Sequence, residues 1–181
     1  MVADQQRLCG RWQLLATLVA TTLLSSPAWA DPSWTVSPSA RVSAGASMTT
    51  GNDKVAAAGD VSGGVRVFAI GTRGPFAQGE LGYSYADNQA SPHALTVGTG
   101  LGYRLGTLGL SISPRLVIGL SESAVGVRTG FTADLVGAAF VELAHQYMAG
   151  DVGEAHSLRI TAGIDIGLLF YILTAPMETR P

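Results

Sequence analysis

The sequence predicts an all-β fold, an eight-stranded antiparallel up-and-down transmembrane β-barrel, and three observations predict it. Apolar side chains recur at every second position through most of the chain after Trp34, while helical spacing is hard to find; period two is the mark of strands with two unlike faces. The face opposite the apolar one carries glycine, serine and threonine, and the charged residues fall on it rather than on the apolar side. Turn signals divide the chain into eight such runs, with most long connections at one end and tight turns at the other.

Composition agrees with an unusual solvent. Of 181 residues, 47% are hydrophobic and 13% charged, against about 25% charged in ordinary soluble domains. The net charge is -2 and Lys54 is the single lysine, so neither nucleic acid nor a polybasic membrane patch is indicated. Residues 1–30 read as a secretory signal peptide. Arg7 and Arg11 precede an apolar run from Trp12 to Leu24, and Ala28-Trp29-Ala30 forms the small-residue cleavage site. That run falls short of the roughly 20 residues a membrane-spanning helix needs. The barrel domain is expected over 31–181. The single cysteine, Cys9, precedes the apolar run, so the mature chain holds no disulfide and no thiol chemistry.

The elements follow in order. From Trp34 to Met48, Trp34, Val36, Pro38, Ala40, Val42, Ala44, Ala46 and Met48 alternate with Thr35, Ser37, Ser39, Arg41, Ser43, Gly45 and Ser47. A long polar loop is expected at 49–59, a strand at 60–71, a short turn at 72–74 and a strand at 76–85. After a loop at 86–92, Leu95, Val97, Leu101, Tyr103 and Leu105 oppose Ala94, Thr96, Gly98, Gly100, Gly102 and Arg104 in a strand at 94–105. The strand at 107–120 contains Pro114, which has no N–H to give a ladder, so a bulge is expected there. Between 124 and 147 one phase runs too long for a single membrane strand of about 9–11 residues. It is divided near Asp134–Gly137. After another long loop at 148–156, the last strand is expected at 157–171, with Ile164, Ile166, Leu168 and Phe170 on its apolar face.

Alternation alone leaves open which face meets water. A water-exposed strand face usually carries lysine and glutamate, whereas this one carries small residues and arginine. Eight strands leave an interior just wide enough for side chains to fill. Arg41, Arg66, Arg104, Arg115, Arg128 and Arg159 share the small face with Glu80, Asp134, Glu142 and Asp165. An arginine facing lipid at midplane costs about 2–4 kcal/mol. Six of them would cost on the order of 12–24, against a whole-domain stability of about 5–15. The ten charged residues are therefore expected to line the lumen. Trp34, Tyr103, Phe131 and Phe170 then fall near one rim, and Tyr83, Tyr85 and Tyr147 near the other, as two aromatic girdles.

Over residues 34–171 the chain resembles the small eight-stranded outer-membrane barrel proteins of the OmpA/OmpX type. The resemblance is architectural. It implies residence in the bacterial outer membrane, contact with outer-membrane lipid, and a terminal strand read by the barrel assembly machinery. The chain departs from that pattern by running on from Tyr171 to Pro181 after the terminal aromatic.

Chemical motifs yield to structural readings. Gly98-Thr99-Gly100-Leu101-Gly102 lies inside an alternating strand and lacks the context of a nucleotide loop. Gly119-Leu120-Ser121-Glu122-Ser123 ends in serine where a nucleophile elbow needs glycine. His93, His145 and His156 show no metal-ligand spacing; His93 and His156 read as loop residues, His145 as outer-face. Without a nucleophile, base and orienting group together, no enzymatic activity, cofactor or metal is expected. The expected role is structural or interactive, through outer loops at 49–59, 86–92, 121–123 and 148–156, with a surface partner the sequence does not identify. The alternatives are a narrow small-solute channel lined by the six arginines, and a soluble periplasmic lipocalin-like carrier of inverted phase.

Overall fold

In a computed structural model, residues 34–70, 73–87, 91–121, 123–135, 138–151 and 153–174 are described. The signal-peptide reading of residues 1–30 lies outside them. The eight strands are β1 (Trp34–Thr49), β2 (Asn52–Ala69), β3 (Arg73–Ala86), β4 (His93–Leu105), β5 (Leu108–Gly119), β6 (Val125–Leu135), β7 (Ala139–Gly150) and β8 (Gly153–Asp165), followed by a helix, α1 (Ile166–Thr174). Each strand pairs antiparallel with its sequence neighbour, and β1 pairs with β8 from Arg41↔Asp165 to Thr49↔Ser157, closing the barrel. The connections β1–β2, β3–β4, β5–β6 and β7–β8 share one end, the loop end; α1 lies at the other, the helix end.

Two of the expected long loops are strand instead. Thr49 pairs with Asn52 across a two-residue turn, and Met48 with Val55. The hairpin thus runs through most of the segment 49–59. Gly51, at φ 82°, supplies the left-handed backbone that so tight a turn needs. Likewise Gly150 pairs with Gly153, Met148 with Ala155 and Tyr147 with His156, so 148–156 is a hairpin tip. His93 and His156 accordingly sit on β4 and β8 rather than in loops.

Pro114 is accommodated without a bulge. The β4–β5 ladder keeps one register from Gly98↔Arg115 to Leu101↔Ile112 and omits only the intervening pairs. A missing N–H leaves a gap, and the neighbouring pairs hold the alignment. Pro38 falls in the part of β1 that has no β8 partner, where an absent donor is cheapest.

The last expected strand, 157–171, ends early. β8 stops at Asp165 and the chain turns into α1. Asp165 caps the helix: its Oδ1 accepts from the Leu168 amide at 3.0 Å and from the Ala40 amide at 3.1 Å. Leu168, Tyr171 and Ile172, at helical spacing, pack against Phe68 and Phe76. The Phe68 and Tyr171 rings meet edge to face at 5.7 Å, and the Tyr171 hydroxyl lies 3.2 Å from Thr35 Oγ1. The helix thereby covers the stretch of β1 that β8 does not reach. Phe170, expected on a strand at a rim, is on the outer side of α1 and 64% exposed.

Candidate functional site

The barrel is inverted relative to a water-soluble one. Its outer wall presents Val36, Val61, Leu81, Leu101, Leu110, Ile112, Leu116, Val127, Leu143 and Ile160 among many exposed large apolar side chains. Its interior buries Arg41, Arg66, Arg115, Arg128, Arg159, Glu142, Asp134 and Asp165. Arg104 is half-buried on the same inward phase, and the Glu80 side chain is buried against Arg115.

These groups sort into three layers along the axis. Nearest the loop end, Arg128 and Arg159 share Asp60. Arg128 Nη1 donates to Oδ1 at 2.7 Å and Arg159 Nη2 to Oδ2 at 3.0 Å. Both also donate to Ser84 Oγ, at 2.6 and 2.7 Å, and Arg128 Nε donates to Gln146 Oε1 at 2.8 Å. In the middle layer, Arg115 grips Glu142 with two parallel bonds of 2.6 Å while its Nε donates to Glu80. Such a fork is the strongest pairing geometry for a carboxylate. Thr132 and Ser62 donate to Glu142 and Glu80.

Toward the helix end, Arg41 Nη2 donates to Asp134 Oδ1 at 3.0 Å, and its guanidinium lies 3.8 Å above the Phe140 ring. Arg66 approaches Asp134 at 3.5 Å and Asp165 at 3.7 Å, and donates to Gln78 Oε1 at 3.0 Å. Arg104 donates to the Ala69 carbonyl at 3.1 Å over the Phe68 ring. All ten sequence-assigned charges therefore point into the lumen, but they form no single site.

The sequence reading did not include Asp60, which the expected loop boundary set at the edge of a strand. It also passed over inward-facing apolar residues. Val117 and Met148, with Ala94 and Ala124, form a buried cluster at the loop end, as Phe68, Phe76 and Leu168 do at the helix end. For Phe68, Phe76, Val117 and Met148 the signal was a break in phase, large apolar residues on the small face near a strand end; Leu168, expected on the outward apolar face, turns inward because helix replaces strand there. The polar layers are thus held between two apolar caps. The space in the middle of the stack, bounded by Asp60, Glu80, Arg115, Arg128 and Glu142, is about 20 Å³, room for about one water.

The Gly98–Gly102 motif serves this filling. A Cβ at Gly100 would sit 2.9 Å from Gln78 Cγ, and one at Gly98 or Gly102 would run into Arg115 or Phe76. Histidines gather on the outer wall near the loop end: His145 Nε2 and His156 Nδ1 are 3.3 Å apart, with the Tyr147 ring tilted 5.0 Å from that of His156. Tyr83 bonds to His93 on the same wall. No group of three or more metal-capable side chains occurs among the described residues. No protein-family model matches this chain, and neither curated proteins nor solved structures give a match.

Proposed function

We propose that this chain is an integral protein of the bacterial outer membrane, its apolar wall against lipid, with a structural or surface-interaction role and no open pore. One observation carries the reading: large aliphatic side chains cover the outside while six arginines are turned inward. A soluble monomer rarely exposes a contiguous apolar patch beyond about 300–600 Å², and a wall of this kind surrounds the whole barrel. The Tyr and His side chains at the loop end suit a headgroup region, where amphipathic rings settle. The middle of the interior, where Arg115 bridges Glu80 and Glu142, leaves about 20 Å³, too little for a solute to pass, and this argues against a channel. Contacts with a partner fall to the loop-end rim, chiefly the segments 87–92 and 120–124, because the other two connections there are tight hairpins. Cell fractionation with gel mobility tests the placement. The protein should sediment with outer membranes, resist alkaline wash, and migrate differently before and after boiling. Release by alkali with unchanged mobility would refute it.

A further inference from the structure

Alternation along β7 and β8 puts His145, Tyr147 and His156 on the outward face. In the ladder between these strands Tyr147 stands opposite His156, and His145 opposite Leu158. The two histidines are therefore diagonal neighbours, a separation that ring side chains can span. They do span it: His145 Nε2 lies 3.3 Å from His156 Nδ1, the ring centroids are 5.4 Å apart, and the ring planes differ by 28°. The Tyr147 ring, 5.0 Å from that of His156, limits how far the His156 ring can swing. Both histidines are exposed, so an ion reaches the pair without entering the barrel. The chain spacing of 11 hides the pair. It forms because 148–156 closes as a hairpin rather than opening as a loop.

The distance discriminates among the things two facing imidazoles can do. It is longer than the usual protein hydrogen bond of about 2.7–3.2 Å, so a direct N–H···N bond is a weak one here. Two nitrogens on one tetrahedral Zn²⁺, each at about 2.0–2.1 Å from it, stand about 3.3–3.4 Å apart. Adjacent nitrogens of a square-planar ion would stand closer, at about 2.9 Å. We propose that His145 and His156 bind Zn²⁺ through Nε2 and Nδ1, with water at the two remaining positions. Each ligand is a neutral imidazole whose proton sits on its other ring nitrogen. Two protein ligands stand where a closed structural site has four, so a Kd of about 1–100 μM is expected. The ligands come from adjacent strands, so the bound ion ties β7 to β8 near the loop end. The inference rests on the histidine pair alone, not on the wall's contact with lipid.

Zn²⁺ titrated into the untagged full-length protein in amphipol, followed by NMR of the imidazole nitrogens, tests it. Saturable one-to-one binding is expected, with the shifts of coordinated nitrogen at His145 Nε2 and His156 Nδ1 and none at His93. Mg²⁺ over the same range should shift neither. His145→Ala and His156→Ala should each weaken Zn²⁺ at least tenfold, and His93→Ala less than twofold. Co²⁺ in place of Zn²⁺ should give the intense visible absorption of a tetrahedral ion. Affinity indifferent to both His145→Ala and His156→Ala would overturn the proposal. So would equal shifts at His93, which would mark adventitious binding to surface histidines. A proton still shared between His145 and His156 at millimolar Zn²⁺ would make the pair a hydrogen bond only. A weak, octahedral Co²⁺ spectrum would overturn the tetrahedral assignment.

Discussion

At the scale of single residues, the interior works by sharing partners among buried charges, and that makes it brittle in a specific way. Arg115 serves two carboxylates at once, Glu80 and Glu142. Removing one member of a buried ion pair strands the other and costs about 3–5 kcal/mol, whereas replacing the whole set with neutral groups can be nearly harmless. Arg115→Met is therefore expected to lower unfolding free energy by about 3–5 kcal/mol. Adding Glu80→Gln and Glu142→Gln to it should restore at least half. Urea unfolding of the single and triple variants in one lipid or detergent checks both. A triple variant no better than the single would mean that the loss came from packing. The glycines give a second expectation at this scale. Gly102→Val puts bulk where Phe76 already stands, and overpacking of this kind costs about 1–3 kcal/mol, measurable in the same titration. The inward phase of these residues was legible because alternation is a local property of the chain. Their pairings were not: Arg128 and Asp60 are 68 positions apart, and the distance closes only when the barrel does.

At the scale of elements, the strands were legible and their ends were less so. Period two fixes the face of each residue, but polar and turn-forming residues interrupt it in 49–59 and 148–156, so both segments read as long loops although the ladders run on through most of them. What ends a strand there is a glycine able to take positive φ, and Gly51 and Gly153 do so at 82° and 102°. The helix is the sharper case. Ile166, Leu168 and Phe170 alternate well enough for a strand, while Leu168, Tyr171 and Ile172 satisfy helical spacing equally. Asp165 decides between them. Its carboxylate caps the first turn while also receiving Ser39 Oγ at 2.8 Å and facing Arg66. These two duties can be separated. Asn caps a helix about as well as Asp, so Asp165→Asn is expected to keep the Leu168 amide protected from hydrogen exchange. It should nonetheless lower global stability, because Arg41 and Arg66 would then have Asp134 alone to share. Asp165→Ala removes the cap as well, and should lose a further ~1 kcal/mol along with that protection. Exchange at Leu168 that is equally fast in both variants would show that the cap does not hold the helix.

At the scale of the whole molecule, dimensions and filling together decide what can pass. A strand the length of β5, 12 residues, at ~3.4 Å per residue and a tilt of ~40° stands about 31 Å tall, enough for an apolar band of about 25 Å. The outer wall is apolar, and side chains close the middle of the lumen. Three barriers lie in series along the axis: the loop-end cluster of Val117 and Met148, the charge layers, and the helix-end cluster of Phe68, Phe76 and Leu168. A small eight-stranded barrel has little room beyond its side chains, so no single one of these is a gate. In planar bilayers the wild-type protein is expected to show no steady conductance. Trimming the caps alone, with Met148→Ala and Leu168→Ala, should leave it closed, because Arg115 still bridges Glu80 and Glu142 across the middle. Steady conductance in those cap variants would place the seal at the ends rather than in the charge layers. Steady wild-type conductance that changed with Arg66→Ala or Arg104→Ala would make the arginines a pore lining. The middle charge layer would then have to open on a scale far larger than the one-water space beside Arg115, and the account of a closed middle would give way to that of a channel.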